Sequence, residues 1–135
     1  MISITKQLAI FLENKPGVLA KMCGDLAKHN INIIALTVSD TIDHTVLRII
    51  VDKTNEAVHL LETTGAIVIE RDVILFELPN KPGALQKVAN YLSEKKHNIE
   101  YLYCSSGINQ KNGTLVLRTK NVVKSFDLLK KLKIK

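Results

Sequence analysis

The chain has no tryptophan and only three phenylalanines and three tyrosines in 135 residues, so a site built on base stacking has few residues to use. Its two cysteines, Cys23 and Cys104, show neither metal nor redox spacing. In a reducing compartment they are small apolar residues, and no disulfide is expected. The six glycines are dispersed, which excludes a glycine-rich phosphate loop. No apolar run approaches the length of a membrane helix, and Met1-Ile2-Ser3-Ile4-Thr5-Lys6 lacks the basic and apolar layout of a signal peptide. The expected location is the cytoplasm, with no membrane partner. No nucleophile, base and oxyanion arrangement is visible, and Ser105-Ser106-Gly107 has no histidine partner in the sequence. A non-enzyme is expected, without cofactor or resident metal.

Hydrophobic residues at 46% and charged ones at 24% are those of an ordinary globular protein and argue against disorder. The net charge of +6 raises the question of nucleic acid. The cations are dense only at Lys120, Lys124, Lys130, Lys131, Lys133 and Lys135, and aromatic residues do not alternate with them. A solvated basic helix and tail is the reading, and no nucleic-acid partner is expected.

What the chain does contain is a repeat. Glu13-Asn14-Lys15-Pro16-Gly17-Val18-Leu19 returns 66 positions later as Pro79-Asn80-Lys81-Pro82-Gly83-Ala84-Leu85. The register persists: Leu12 falls on Leu78, Lys21 on Lys87, Leu26 on Leu92, Asn32-Ile33 on Asn98-Ile99 and Leu36 on Leu102. Leu47-Arg48 matches Leu117-Arg118 at an offset of 70, which places extra residues in the second copy between Gly107 and Gly113. The chain reads as a tandem duplication, with one unit over 1–70 and another over 71–135. Units this small bury modest cores, so the two are expected to be fused and not strung on a linker. The junction Glu70-Arg71-Asp72-Val73 has no Gly, Pro or Ser run.

Period-two alternation makes a strand of 2–12, and Pro16 suits the first turn of a helix whose stripe holds Leu19, Met22, Cys23, Leu26 and Ala27. Residues 31–38 and 45–51 read as strands joined by the turn Asp40-Thr41-Ile42-Asp43. Thr54 is placed to cap a second helix that Gly65 stops, and 67–69 is a short fourth strand. The second copy repeats the order with a strand over 73–78, a helix over 84–95, strands over 99–105 and 114–119, and a helix over 122–131. Asn112-Gly113 reads as the turn into its third strand. The segment 132–135 then leaves the last strand absent, very short or supplied from elsewhere. The expected fold class is α+β: two ferredoxin-like βαββαβ units in tandem, antiparallel sheets with helices on one face. Apolar Ala9, Phe11, Val46 and Ile50 on the face away from the helices favour a homodimer.

The repeated motif, followed by Asn32-Ile33 at the head of the next strand, resembles the signature of ACT domains, small ligand-sensing modules of amino-acid metabolism. The resemblance covers essentially the whole chain, twice. The run from Glu13 to Val38 is also similar to the small regulatory subunit of acetolactate synthase. Physically, Gly17 permits close backbone approach, and the helix starting there offers unpaired N–H groups and a partial positive charge to a carboxylate. Asn14 and Asn32 carry amides that donate and accept, as a zwitterion requires. The resemblance implies that Asn14 and Asn32 contact a small amino acid at an interface between two domains, and by the same match Asn80 and Asn98. The implied site comprises Asn14, Lys15, Pro16, Gly17, Val18, Leu19, Asn32 and Ile33, and in the second copy Asn80, Pro82, Gly83, Ala84, Leu85, Asn98 and Ile99. Serine-sensing relatives carry a histidine two positions before the motif asparagine; Leu12 and Leu78 stand there, which suggests a more apolar ligand. Pro79 for Glu13, Glu100 for Ile34 and Tyr101 for Ala35 suggest that one copy binds and the other is structural.

The plainer reading makes Asn14 and Asn80 helix caps, and lets Asn32 and Asn98 satisfy backbone groups. Asp40, Asp43 and His44 read as turn chemistry ahead of a metal site. His29 and His97 read as partners of helix-terminal carbonyls. Tyr101 and Tyr103 face one side of a strand, and Arg48 and Arg118 occupy matching strand positions. The function expected is a non-catalytic amino-acid sensor read by a partner metabolic enzyme. The alternative is a regulatory subunit that acts on a biosynthetic enzyme by contact alone.

Overall fold

The computed structural model describes residues 1–40 and 44–134. Its elements, in chain order, are β1 (Ile2–Glu13), α1 (Val18–Lys28), β2 (Ile33–Asp40), β3 (His44–Val51), α2 (Thr54–Thr63), β4 (Ile67–Pro79), α3 (Ala84–Glu94), β5 (Ile99–Ser105), β6 (Asn112–Thr119) and α4 (Val122–Lys130). The α+β class and the duplicated ferredoxin-like order are as expected.

Two compact units result. One is Lys6–Arg71; the other joins Met1–Thr5 to Asp72–Lys135. In the first the neighbouring strands run β2-β3-β1-β4, antiparallel, with α1 and α2 on one face. Alternation decides that face: Leu8, Ile10, Leu47 and Ile49 are fully buried, and Met22 and Leu26 of α1 and Ala57 and Leu61 of α2 close over them. Each large apolar side chain withdrawn in this way contributes about 1.5–3 kcal/mol. The opposite face is mixed: Ile50 is buried, Ala9 and Val46 are half-buried, and Phe11 is exposed.

In the second unit the order is β1-β4-β6-β5, and Ile74, Phe76, Leu115 and Leu117 face Val88 and Leu92 of α3 and Leu129 of α4. The fourth strand of this unit is supplied by the chain's first residues. The Glu77 amide donates to the Met1 carbonyl oxygen at 2.9 Å, and Ile2 packs on this core. Leu132 and Ile134 lie against the same core without forming a strand.

Four sequence-level expectations need correction. The strands over 67–69 and 73–78 are one, β4, because 70–72 contains nothing that breaks a ladder. Thr54 lies inside α2, and the residue before it, Lys53, holds the cap position without a side-chain bond. Gly113 is within β6. A Cβ there would force Ser106 Oγ aside and lie 3.1 Å from the Ser105 carbonyl oxygen. The equivalence of Arg48 and Arg118 fails: Ala35 pairs with Ile50 and Tyr101 with Arg118, so Arg118 matches Ile50 and the offset after β5 is 68. Of the residues read as the first hairpin turn, Thr41, Ile42 and Asp43 lie outside the described residues.

Deleting residues 1–5 should lower Tm and strip hydrogen-exchange protection from the Glu77 amide, while α1 and β3 amides keep theirs. Ile2→Ala alone should cost roughly 1–2 kcal/mol, less than a fully buried isoleucine. Unchanged protection at Glu77 would contradict the strand's role.

Candidate functional site

The motif builds the same turn twice. Lys15 N–H donates to Glu13 O and Lys81 N–H to Pro79 O, both at 3.0 Å. The chain then enters each helix through a left-handed glycine, Gly17 at φ 89° and Gly83 at φ 90°. Neither asparagine caps its helix: α1 and α3 have no side-chain cap bond. They hold the next hairpin instead. Asn14 Nδ2 donates to Asp40 Oδ1 at 2.8 Å. Asn80 Nδ2 donates to both the Gly107 and Gln110 carbonyls, at 3.1 and 2.9 Å, and its own N–H bonds the Lys111 carbonyl. Asn80 therefore has no amide hydrogen left for a guest, while Asn14 is bonded to a carboxylate.

Asn32 sits at the other end of α1. Its N–H donates to Asp52 Oδ1 at 2.9 Å and its carbonyl accepts from the Asp52 N–H. An 11-residue helix separates Asn14 from Asn32, roughly 16 Å at 1.5 Å per residue. Within one unit the two asparagines, and Ile33 beside Asn32, are not brought together.

A cleft of about 310 Å³ opens where the β1–α1 turn faces the α2–β4 turn. Ile10, Leu12, Val18, Met22, Leu61 and Ala66 give it an apolar lining, and Glu13, Lys15, Lys21 and Asp25 add charge. Lys15 pairs with Glu13 at 2.9 Å and Lys21 with Asp25 at 3.2 Å. The hydrogen bond and charge of Lys15 hold the Glu13 carboxyl below its usual range. The Lys15–Glu13 pair is exposed and a charged guest can displace it at small cost. A second cleft shares Phe11, Leu12, Glu13, Gly65 and Ala66 and extends to His44, Val46 and Ile67.

Of the sequence-derived site residues, Lys15 and Val18 line the first cleft; Asn14, Pro16, Gly17 and Leu19 flank it along the turn. In the second copy Asn98 and Ile99 line a separate cleft of about 380 Å³ at the α3–β5 turn. Asn80, Pro82, Gly83, Ala84 and Leu85 lie at the opposite end of α3. Among the described residues no cluster of three His, Cys, Asp or Glu could hold a metal; Asp43, named with Asp40 and His44, lies outside them.

His29 Nδ1 meets the Asp25 carbonyl at 2.9 Å, as its place near a helix end suggested. His97 does not follow it. Its Nδ1 lies 2.7 Å from Ser125 Oγ, which in turn lies 2.6 Å from Thr119 Oγ1. Ser125 is completely buried and out of a substrate's reach. Sequence reading missed this trio because no motif marks it; aligning the copies position by position is the signal that would have found it.

Residues 3–135 match the family described as the ACT domain pair. Protein BT0572 from Bacteroides thetaiotaomicron is similar in structure, with 39% identity and a TM-score of 0.89 over 96% of this chain and 88% of that one. The ligand-free regulatory subunit of aspartate kinase from Thermus thermophilus shares the fold at 16% identity, with a TM-score of 0.70 over 96% and 94% of the two chains. Aspartokinase alpha and beta subunits align with a TM-score of 0.64 at 16% identity over 96% and 95%. No curated protein matches.

Gly17→Ala and Gly83→Ala should each cost about 1–2 kcal/mol by denaturant unfolding, with asparagine cheaper at both places. A Cβ at either would meet nothing within 4 Å, so the cost is backbone alone. Asn80→Ala should cost about 1–2 kcal/mol through two lost bonds, and Asn14→Ala less than about 1 kcal/mol. Equal costs would mean that the asparagines do the same work.

Proposed function

The chain belongs to the ACT domain pair family, and on that premise we propose that it is a cytoplasmic, non-catalytic regulatory protein that binds a small amino acid with an apolar side chain in its first copy. The observation that carries the reading is the unequal use of the two motif asparagines. In the first copy the turn brings Glu13 and Lys15 to the lining of an apolar cleft and ties Asn14 to the Asp40 carboxylate of β2. A guest carboxylate finds the Lys15 ammonium and the first N–H groups of α1. Its ammonium finds Asp40, Glu13 and the Asn14 carbonyl oxygen, and its side chain rests on Leu12, Val18 and Met22.

The second copy offers less. Proline replaces Glu13, the hairpin is held by backbone carbonyls instead of a carboxylate, and Asn80 has spent its donors. It serves in this reading as the structural partner. The sensor acts as a homodimer, and a metabolic enzyme reads the bound state, since a ligand shifts an equilibrium only by its differential affinity for two states. No helix among the described residues is long and apolar enough to cross a membrane.

A thermal-shift screen of the full chain against the twenty amino acids tests this. A ligand at a hundred times its Kd should add about 2.7 kcal/mol of stability. The response should vanish in Asp40→Asn and fall at least tenfold in affinity in Asn14→Ala, while Asn80→Ala keeps it on a lower baseline Tm. A flat response to all twenty would sink the sensor and favour a subunit that regulates by contact alone.

A further inference from the structure

Placing the copies in the register set by their strand pairs exposes a concerted change. Ile31 corresponds to His97, since Asn32 and Ile33 correspond to Asn98 and Ile99. Ile33 pairs with Val51 and Ile99 with Thr119, so Val51 corresponds to Thr119 and Asp52 to Lys120. Ala57 N–H bonds the Lys53 carbonyl as Ser125 N–H bonds that of Asn121, so Ala57 corresponds to Ser125. In the first copy Ile31, Val51 and Ala57 are buried members of one apolar core. In the second the same three places hold His97, Thr119 and Ser125, joined by hydrogen bonds of 2.7 and 2.6 Å. The first copy shows that the fold does not need them polar.

We propose that this trio is the support of an oxyanion-binding site at the α3–β5 turn, a site in the other copy from the amino-acid cleft and independent of it. Thr119 and Ser125 are buried at 1% and 0% exposure, and each hydroxyl has one hydrogen to place. Both are placed when Thr119 donates to Ser125 and Ser125 to His97 Nδ1. That order puts the imidazole proton on Nε2. His97 lines a cleft of about 380 Å³ with Ser93, Lys96 and Asn98, and with Nδ1 engaged by Ser125 its Nε2–H is the ring donor left for a guest there. No acidic residue lines that cleft.

Two neighbours point the same way. Asp52, whose carboxylate bonds the Asn32 N–H in the first copy, has Lys120 as its counterpart, so an anion leaves this corner and a cation takes its place. Lys96 adopts a left-handed backbone at φ 61°, where glycine or asparagine would be cheaper by about 1 kcal/mol, and so places an ammonium on the rim. Imidazole N–H, amide, hydroxyl and ammonium groups around one opening are donors without an acceptor of matching charge, and a carboxylate or a phosphate group is the guest they suit.

The test is NMR of the full chain. Long-range proton–nitrogen correlation should show His97 as the Nε2–H tautomer. Titration with inorganic phosphate and, separately, acetate at constant ionic strength should shift the His97 ring and Asn98 side-chain amide saturably; the arm that saturates first identifies a phosphorylated or a carboxylate ligand. The triple variant His97→Ile, Thr119→Val, Ser125→Ala restores the first copy's residues and should fold with an unlowered Tm yet lose the Asn98 response. Lys120→Asp, at an exposed position, should weaken binding about tenfold or more. An Nδ1–H tautomer, non-saturating shifts with both anions, or an unchanged response in Lys120→Asp would overturn the proposal.

Discussion

Each unit depends on a fourth strand beside the one that begins its repeat. A sheet of three strands with two helices leaves one flank of the core open, and units of this size have little apolar surface to spare. In the unit Lys6–Arg71 the chain supplies that strand locally, through the first part of β4. In the other it comes from Met1–Thr5, joined at Glu77 to residues more than 70 positions away in sequence. The second core is therefore closed by a contact of long loop-closure distance, at greater entropic cost than the hairpins around it.

The same architecture explains why the motif recurs with such fidelity. Between β1 and α1, and again between β4 and α3, the chain must reverse within four residues and hand a strand to a helix. A left-handed glycine does this at φ close to 90° in both copies, and an asparagine ties the turn to the neighbouring hairpin. Those two requirements are backbone requirements. They would keep Asn-Lys-Pro-Gly in place whether or not a ligand arrives, so the motif's retention in both copies does not by itself make both copies binding sites.

Divergence is more informative than retention here. At the helix-start end the first copy holds carboxylates where the second holds proline and backbone carbonyls. At the other end the second copy holds His97, Thr119, Ser125 and Lys120 where the first holds Ile31, Val51, Ala57 and Asp52. The copies differ in charge and polarity at opposite ends of equivalent helices.

Local pattern alone determined most of the architecture. The two-residue alternation of Leu8, Ile10 and Leu12, the stripe of Met22 and Leu26, and the repeated Pro-Gly specify strand, helix and duplicated order, because period and turn chemistry act over a few residues. It also identified the family. The missing strand was not readable in that way, since residues 1–5 look like the start of β1 in either role and only pairing distinguishes them. Nor was the break between 69 and 73, which exists in the repeat but not in the ladder. The offset of 68, the partners of Asn14 and Asn80, and the His97–Ser125–Thr119 chain likewise rest on contacts between residues 6 to 31 positions apart. Side-chain hydrogen bonds across such distances leave no periodic trace, so they were decided only when the strands took their register.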